Sequence, residues 1–316
     1  MMRGLLTGLC LAAGALLCGG TAAATGAPTG AEPAVRTHTL VIGKVSSNPR
    51  KHYLRLKPMV DYVAERMGDL GITRGEVLMA RDNAQMIQYL REGRVDWVTE
   101  TLYSAVLYER AGVAESILRK WKKGVAEYRT LFFTRMDSDI RTPADLRGRR
   151  LGLEDPGSTT AFFEPLMILR DEGLEAVPLS GPRVAPPPDK VGYALAGGEI
   201  NLATWVYKGL VDAAAYNDLD WNNPDHTPEA LRRELRVFHV SEPLPRAIEL
   251  VRSSLDPRVR TRLIELLLAA AEDPEARSVL WSYQRTSRFE RIDGEMRGAI
   301  RAYHGVLDDD DGGGEP

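Results

Sequence analysis

Residues 154–165, EDPGSTTAFFEP, hold a tight turn, three consecutive hydroxyls and then an apolar, helix-like run. Pro156-Gly157 ends the preceding strand, and Ser158 stands where a residue can cap the next helix. The first turn of a helix leaves backbone N–H groups unpaired, and its dipole favours a negative charge there. Ser158, Thr159 and Thr160 add hydroxyl donors without adding charge. That combination suits a phosphate, phosphonate, sulfate or carboxylate group. A plain N-cap with no ligand explains the same residues, so both readings stay open. Pro165, a turn and a half in, makes the helix unusual under either one.

The hydroxyls could also be nucleophiles, with His226 or His239 as the base. Yet DPGST lacks the Gly-x-Ser-x-Gly elbow of the hydrolases. His226 lies in the polar loop NNPDHTPE, His239 in the strand VFHV, and His52 at a helix start. No His-Glu-x-x-His, Cys-x-x-Cys, P-loop or Rossmann glycine motif occurs. The chain is therefore not read as an enzyme, and neither a metal nor a cofactor is expected.

The N-terminus points to export. Arg3 precedes a mostly apolar stretch from Leu5 to Leu17, and Thr21 to Ala24 supply the small residues a signal peptidase accepts. The stretch is short of the about 20 apolar residues of a spanning helix. Lipid attachment at Cys10 or Cys18 is disfavoured by Leu9 and Leu17 before them, where a small residue is wanted. Cleavage after Ala24 would remove both cysteines, leaving neither a disulfide nor a thiol. The net charge of −3 is too mild to suggest nucleic acid. The basic run RKWKK (119–123) reads as a solvated helix face. The expectation is a soluble, monomeric protein in the periplasm or another extracytoplasmic space.

Residues 25–37 read as a flexible leader and 307–316 as a disordered acidic tail. Between them strands and helices alternate. Strand HTLVIGKV (38–45) precedes a helix over 53–68, with Leu56, Met59, Val60 and Val63 at helical spacing. Strand GEVLMA (75–80), helix NAQMIQYLREG (83–93) and strand VDWVT (95–99) follow. This order predicts a parallel sheet, whose ligands bind beyond the carboxyl ends of its strands. A second α/β unit begins with strand YRTLFFTR (128–135) and includes the buried strand GLVDAAAYN (209–217). LRVFHVSEPLPRAIELVR (235–252) holds two strands split by a proline bend, and 257–306 reads as helical. The fold class is α/β. One lobe takes 38–131 plus 244–306 and the other 132–243, each a mostly parallel sheet flanked by helices, joined by a two-strand hinge.

Here a resemblance becomes specific. DLRGRRLGLEDPGSTTAFFEP resembles the signature of the phosphate/phosphite/phosphonate ABC transporter substrate-binding proteins. DNAQMIQYLREGRVDWV resembles their first-lobe segment, GLVDAAAYND their second-lobe strand, and SEPLPRAIELVR their return crossover. The resemblance implies a type II periplasmic-binding fold closing by hinge motion on a small anionic or zwitterionic ligand. The partner it implies is an ABC permease in the membrane, or a sensor kinase or cyclase in a signalling variant. It places the oxyanion on Ser158, Thr159 and Thr160, with Tyr128 beside them; a core aromatic at a strand end explains Tyr128 equally.

Three positions depart from the family pattern. Asn83 stands where a tyrosine is common, Glu100 where many members have an aromatic, and Glu199 where a histidine usually meets the oxyanion. Asn217, at the end of the second-lobe strand, completes the candidate ligand contacts. Two unit charges about 4 Å apart near a surface interact by ~4 kcal/mol. A helix N-terminus offers an anion only ~0.3–1 kcal/mol, so an ionised glutamate facing an oxyanion would dominate. Glu199 could turn away or pair with Lys44, Arg50 or Arg129, or it could be protonated. Alternatively the ligand carries a cationic or hydroxyl-rich part that Glu100 and Glu199 hold. A candidate rim of Trp97, Tyr103, Trp205 and Tyr207 favours this last reading, because aromatics suit an organic or cationic group; Trp97 and Trp205 could equally be core.

Overall fold

The computed structural model describes residues 39–46 and 48–311. The expected signal peptide and leader, and residues 312–316 of the expected tail, lie outside them.

β1 (Thr39–Val45) is buried along its middle five residues, as a strand covered on both faces must be. It pairs in parallel with β2 (Arg74–Ala80) and β3 (Trp97–Glu100). Helices α1 (Pro49–Ala64) and α2 (Asn83–Arg91) carry the crossovers. α1 begins four residues earlier than periodicity suggests, because Asn48 caps it through the Lys51 N–H and Pro49 supplies a ready-made first-turn φ. α1 lies directly on β2: a Cβ at Gly75 would sit 2.7 Å from the Val60 carbonyl carbon and oxygen.

From β3 the chain enters α3 (Leu102–Arg110) and β4 (Ala114–Lys120). β5 (Glu127–Tyr128) then leads to the second sheet, which contains β6 (Thr130–Arg135), β7 (Arg150–Leu153), β8 (Ala176–Pro178), β9 (Val191–Leu195), β10 (Ala213–Asn217) and β11 (Leu235–Val240). Its helices are α4 (Glu164–Asp171), α5 (Glu199–Tyr207), α6 (Asp218–Trp221) and α7 (Glu229–Arg232). β12 (Leu244–Pro245) pairs antiparallel with β5 and returns the chain to the first sheet through β13 (Ile248–Arg252). α8 (Pro257–Ala269), α9 (Arg277–Ser282), β14 (Phe289–Arg291) and α10 (Gly294–Asp311) complete it.

The sheet orders are β14-β4-β13-β3-β1-β2 and β11-β6-β10-β7-β9-β8, with the β5–β12 ribbon between them. Both belong to a single compact unit. Each sheet keeps parallel strands on one side and antiparallel ones where the chain crosses over. The carboxyl ends of β1, β3 and β4, the start of β13 and the residues just before it therefore share one edge. In the second lobe the ends of β7, β9 and β10 and the start of β6 do the same.

Three expectations change. RKWKK is not a helix face: Arg119 and Lys120 end β4, and Lys120 is fully buried. The span 257–306 is not helical throughout, because β14 interrupts it to extend the first sheet. α10 continues through Asp311, past the expected start of the tail at 307.

Candidate ligand site at the hinge

Between β7 and α4 the chain makes one π-helical turn, Thr159–Phe163. The Phe163 N–H donates to the Ser158 carbonyl at 3.0 Å, five residues back. Pro165 follows in the first turn of α4, where its missing N–H costs nothing. This widened turn is the structural form of the proline oddity, and such turns recur at functional sites. Ser158 caps it by accepting from the Ala161 N–H at 3.3 Å. Thr159 and Thr160 are buried. Thr159 Oγ1 accepts from the Tyr103 N–H at 3.0 Å, and Thr130 Oγ1 donates to the Thr160 carbonyl at 3.1 Å.

Tyr128, on the hinge ribbon, is buried, and its hydroxyl interacts with the Thr159 and Thr160 side chains. Burial raises its pKa, and those hydroxyls together with Arg246 oppose the rise. The structure thus brings Thr159 and Thr160 of the second lobe together with Tyr128 of the hinge. Phe163, one turn on, stacks on Tyr103 at 4.4 Å between ring centroids. Tyr303 of α10 packs against Phe163 and donates its hydroxyl to Glu164.

The first-lobe side of this edge is basic. Arg246, just before β13, lies over the Tyr128 ring with its guanidinium carbon 4.6 Å from the centroid. It is 8% exposed, and its Nε is buried without a hydrogen-bond partner. Lys122, two residues past β4, is half-buried, and its amine is pushed well below the ordinary lysine pKa by burial, then by Arg246, Lys44 and Lys120. His52, in the first turn of α1, is held down to about 4 by burial and by Lys44, Arg55 and Lys122; its Nδ1 meets Ser46 Oγ at 2.5 Å.

Two carboxylates offset part of this charge. Glu100 takes the Lys44 ammonium at 3.1 Å and the Val45 N–H at 2.8 Å. Deeper in, Glu249 pairs with Lys120 at 3.2 Å and accepts from Trp97 Nε1 at 2.6 Å, Thr99 Oγ1 at 2.9 Å and the Tyr283 hydroxyl. Lys120 is lowered to about 8 by burial, against the pull of Glu249.

The second-lobe side carries acids. Glu154 follows β7, Glu199 opens α5 and Asp220 lies in α6. Burial, then the Glu199 charge, pushes the Glu154 carboxyl up to about 7. Glu199, Asp220 and His226 bring ligand-type atoms within 4.8 Å of one another, a set able to hold an ammonium group or a divalent cation. His226 Nδ1 meets Asp220 Oδ1 at 2.7 Å. Glu199 opens α5 while Asp220 and His226 lie in and just after α6, a spacing that matches no metal motif.

Of the remaining candidates, Asn83 accepts from the Tyr108 hydroxyl at 2.7 Å, and Asn217 caps α6 by accepting from the Asp220 N–H at 3.0 Å. The pairings considered for Glu199 do not form at Lys44 or Arg129: Lys44 is taken by Glu100, and Arg129 donates to the Ser241 carbonyl. Trp97 is not a rim residue but fully buried core, and Trp205 packs against the second-lobe core. Tyr103 is half-buried on Phe163, while Tyr207 is exposed at the far end of α5. A surface cavity of about 570 Å³, lined by Lys123, Asp273, Arg277, Trp281 and Arg285 among others, includes none of the cleft residues.

Sequence reasoning missed Lys122 and Arg246. The available signals were the strand character of AESILRK, which carries its basic end to the ligand edge, and a lone arginine in the proline-bounded crossover.

A family model described as ABC transporter, phosphonate, periplasmic substrate-binding protein matches residues 42–296. The chain belongs to this family. XAC2383 from Xanthomonas citri is 39% identical over 84% of this chain and 96% of its own; its chloride-bound structure superposes with a TM-score of 0.81 and its ATP-bound structure with 0.80. PhnD1 from Prochlorococcus marinus, in complex with methylphosphonate, is 15% identical over 86% of this chain and 99% of its own, and shares the fold at a TM-score of 0.62. Like the rest of the family, the chain is a solute-binding protein for an ABC importer, with the type II periplasmic-binding fold. No helix among the described residues is long and apolar enough to cross a membrane.

Proposed function

We propose that the solute is a small molecule bearing a phosphorus oxyanion, captured between the lobes at the Ser158–Thr160 loop and delivered to the permease from the periplasmic side. The observation that carries this reading is the meeting of Thr159 and Thr160 with the hinge residue Tyr128. These hydroxyls are neutral donors near the Arg246 guanidinium, which lies over Tyr128 and within electrostatic range of the Lys122 amine. Methylphosphonate in PhnD1 and ATP in XAC2383 are both phosphorus oxyanions, which supports the same ligand chemistry here. A cationic or hydroxyl-bearing part of the ligand would face Glu199, Glu154 and Asp220. Glu100 drops out of that role because Lys44 neutralises it.

The test is a thermal-shift panel on the chain from Thr25, stripped of bound solute. It holds phosphate, phosphite, methylphosphonate, 2-aminoethylphosphonate and ATP, with acetate and sugar acids as controls. A ligand at 100 times its Kd stabilises by about 2.7 kcal/mol. A shift confined to phosphorus compounds is expected. A shift from carboxylates alone would overturn the proposal.

A further inference from the structure

The charges at the first-lobe edge do not balance. Lys44, Lys120, Lys122 and Arg246 interact with one another there. Only Glu100 and Glu249 oppose them, each already engaged by a lysine. Two basic side chains, Lys122 and Arg246, are left over without an ion pair, and burial and the neighbouring cations disfavour the Lys122 charge until an anion arrives. Arg246 is more than nine-tenths buried, and its Nε faces no acceptor. Among the described residues, neither Arg246 nor Lys122 forms an ion pair with a carboxylate, and Glu100, whose charge reaches Lys122, is already held by Lys44. Buried charge without a counter-charge is costly, and proteins keep it where a ligand completes it.

We propose that Lys122 and Arg246 form an anion subsite at the hinge that selects a ligand presenting two negative charges to the first lobe, over singly charged oxyanions of the same shape. The proposal rests on the reading that the cleft takes an oxyanion, and adds which side of the cleft reads its charge. The hydroxyl loop cannot make this distinction, because Ser158, Thr159 and Thr160 carry no charge. Tyr128 links the two parts: its ring lies beneath Arg246 and its hydroxyl meets the loop. His52, held down to about 4, adds no charge to this side.

The probes are inorganic phosphate at pH 8, where the dianion dominates, and methanesulfonate, a tetrahedral monoanion. Isothermal titration of the wild type should show phosphate at least tenfold tighter. Lys122→Met and Arg246→Gln should each bring that ratio below about threefold. Lys122→Met should also melt higher than the wild type in anion-free, low-salt buffer, a readout independent of any ligand.

A Lys122→Met protein that keeps the wild-type ratio and melts no higher overturns the subsite. If the Ser158→Ala/Thr159→Ala variant then still loses phosphate, the oxyanion reading survives alone. If that loop variant binds phosphate normally while Lys122→Met loses the preference, the subsite stands and the hydroxyl loop is the part that fails. A wild type that binds neither probe at millimolar concentration overturns the subsite outright.

Discussion

Thr159 Oγ1 in the second lobe accepts the backbone N–H of Tyr103 in the first turn of α3, at 3.0 Å. Thr101, the residue placed to cap α3, makes no side-chain cap bond, so the other lobe supplies it. A hydroxyl expected to grip a ligand is thus also a contact between lobes. Under the proposed function, closure and binding draw on the same groups, and a solute reaching Thr159 competes with the Tyr103 N–H. Ligand affinity and lobe closure are then coupled free energies.

Thr159→Ala should leave the Tyr103 N–H without an acceptor. A loss of about 1 kcal/mol in urea unfolding is expected. No loss at all would mean that water caps α3 equally well and that the contact does not hold the lobes.

Glu154 gives a pH dependence with a definite sign. Its folded pKa of about 7 lies above the ordinary 4.5. The folded state therefore favours the protonated acid, and stability falls as pH climbs from 4.5 through 7. Glu154→Gln should match the wild type near pH 4 and exceed it at pH 8. The shift sets an upper limit of roughly 3 kcal/mol, reduced by solvent screening at a half-buried group. Parallel melting curves for the two proteins across pH 4–8 would contradict the assignment.

The buried Lys120–Glu249 pair anchors the carboxyl end of β4 to β13. Removing one partner of such a pair costs about 3–5 kcal/mol. Glu249→Leu should therefore lower the urea midpoint sharply, and adding Lys120→Met should restore much of the loss. A double variant as unstable as the single would mean that the polar contacts to Trp97 and Tyr283, rather than the ion pair, carry the cost.

Glu199→His removes one acid from the second-lobe wall. Competition titration should show amine-bearing phosphonates losing at least fivefold relative to methylphosphonate. Equal losses for both would place Glu199 outside the ligand's reach.

The fold was largely legible because its buried strands are short apolar runs bounded by turns, as in TLVIGK and DAAAYN. The failures have physical causes. AESILRK alternates too loosely to separate strand from helix, and its lysine is buried only because Glu249, some 130 residues later in the chain, returns beside it. β14 is three residues long and gains strand character only by pairing with β4. At the site, the run of hydroxyls was visible as local chemistry. The basic side was not, since the β5–β12 pairing is what returns Arg246 over Tyr128 and within electrostatic range of Lys122. Glu100 looked like an obstacle to an anion until Lys44, one strand away, was seen to hold it.

The most direct measurement is isothermal titration of the Ser158→Ala/Thr159→Ala variant, beside the wild type, with the phosphorus compound giving the largest thermal shift. Capture at the hydroxyl loop predicts binding weakened at least tenfold in a protein that still unfolds cooperatively. Wild-type affinity in that variant would contradict it and move the solute away from the loop.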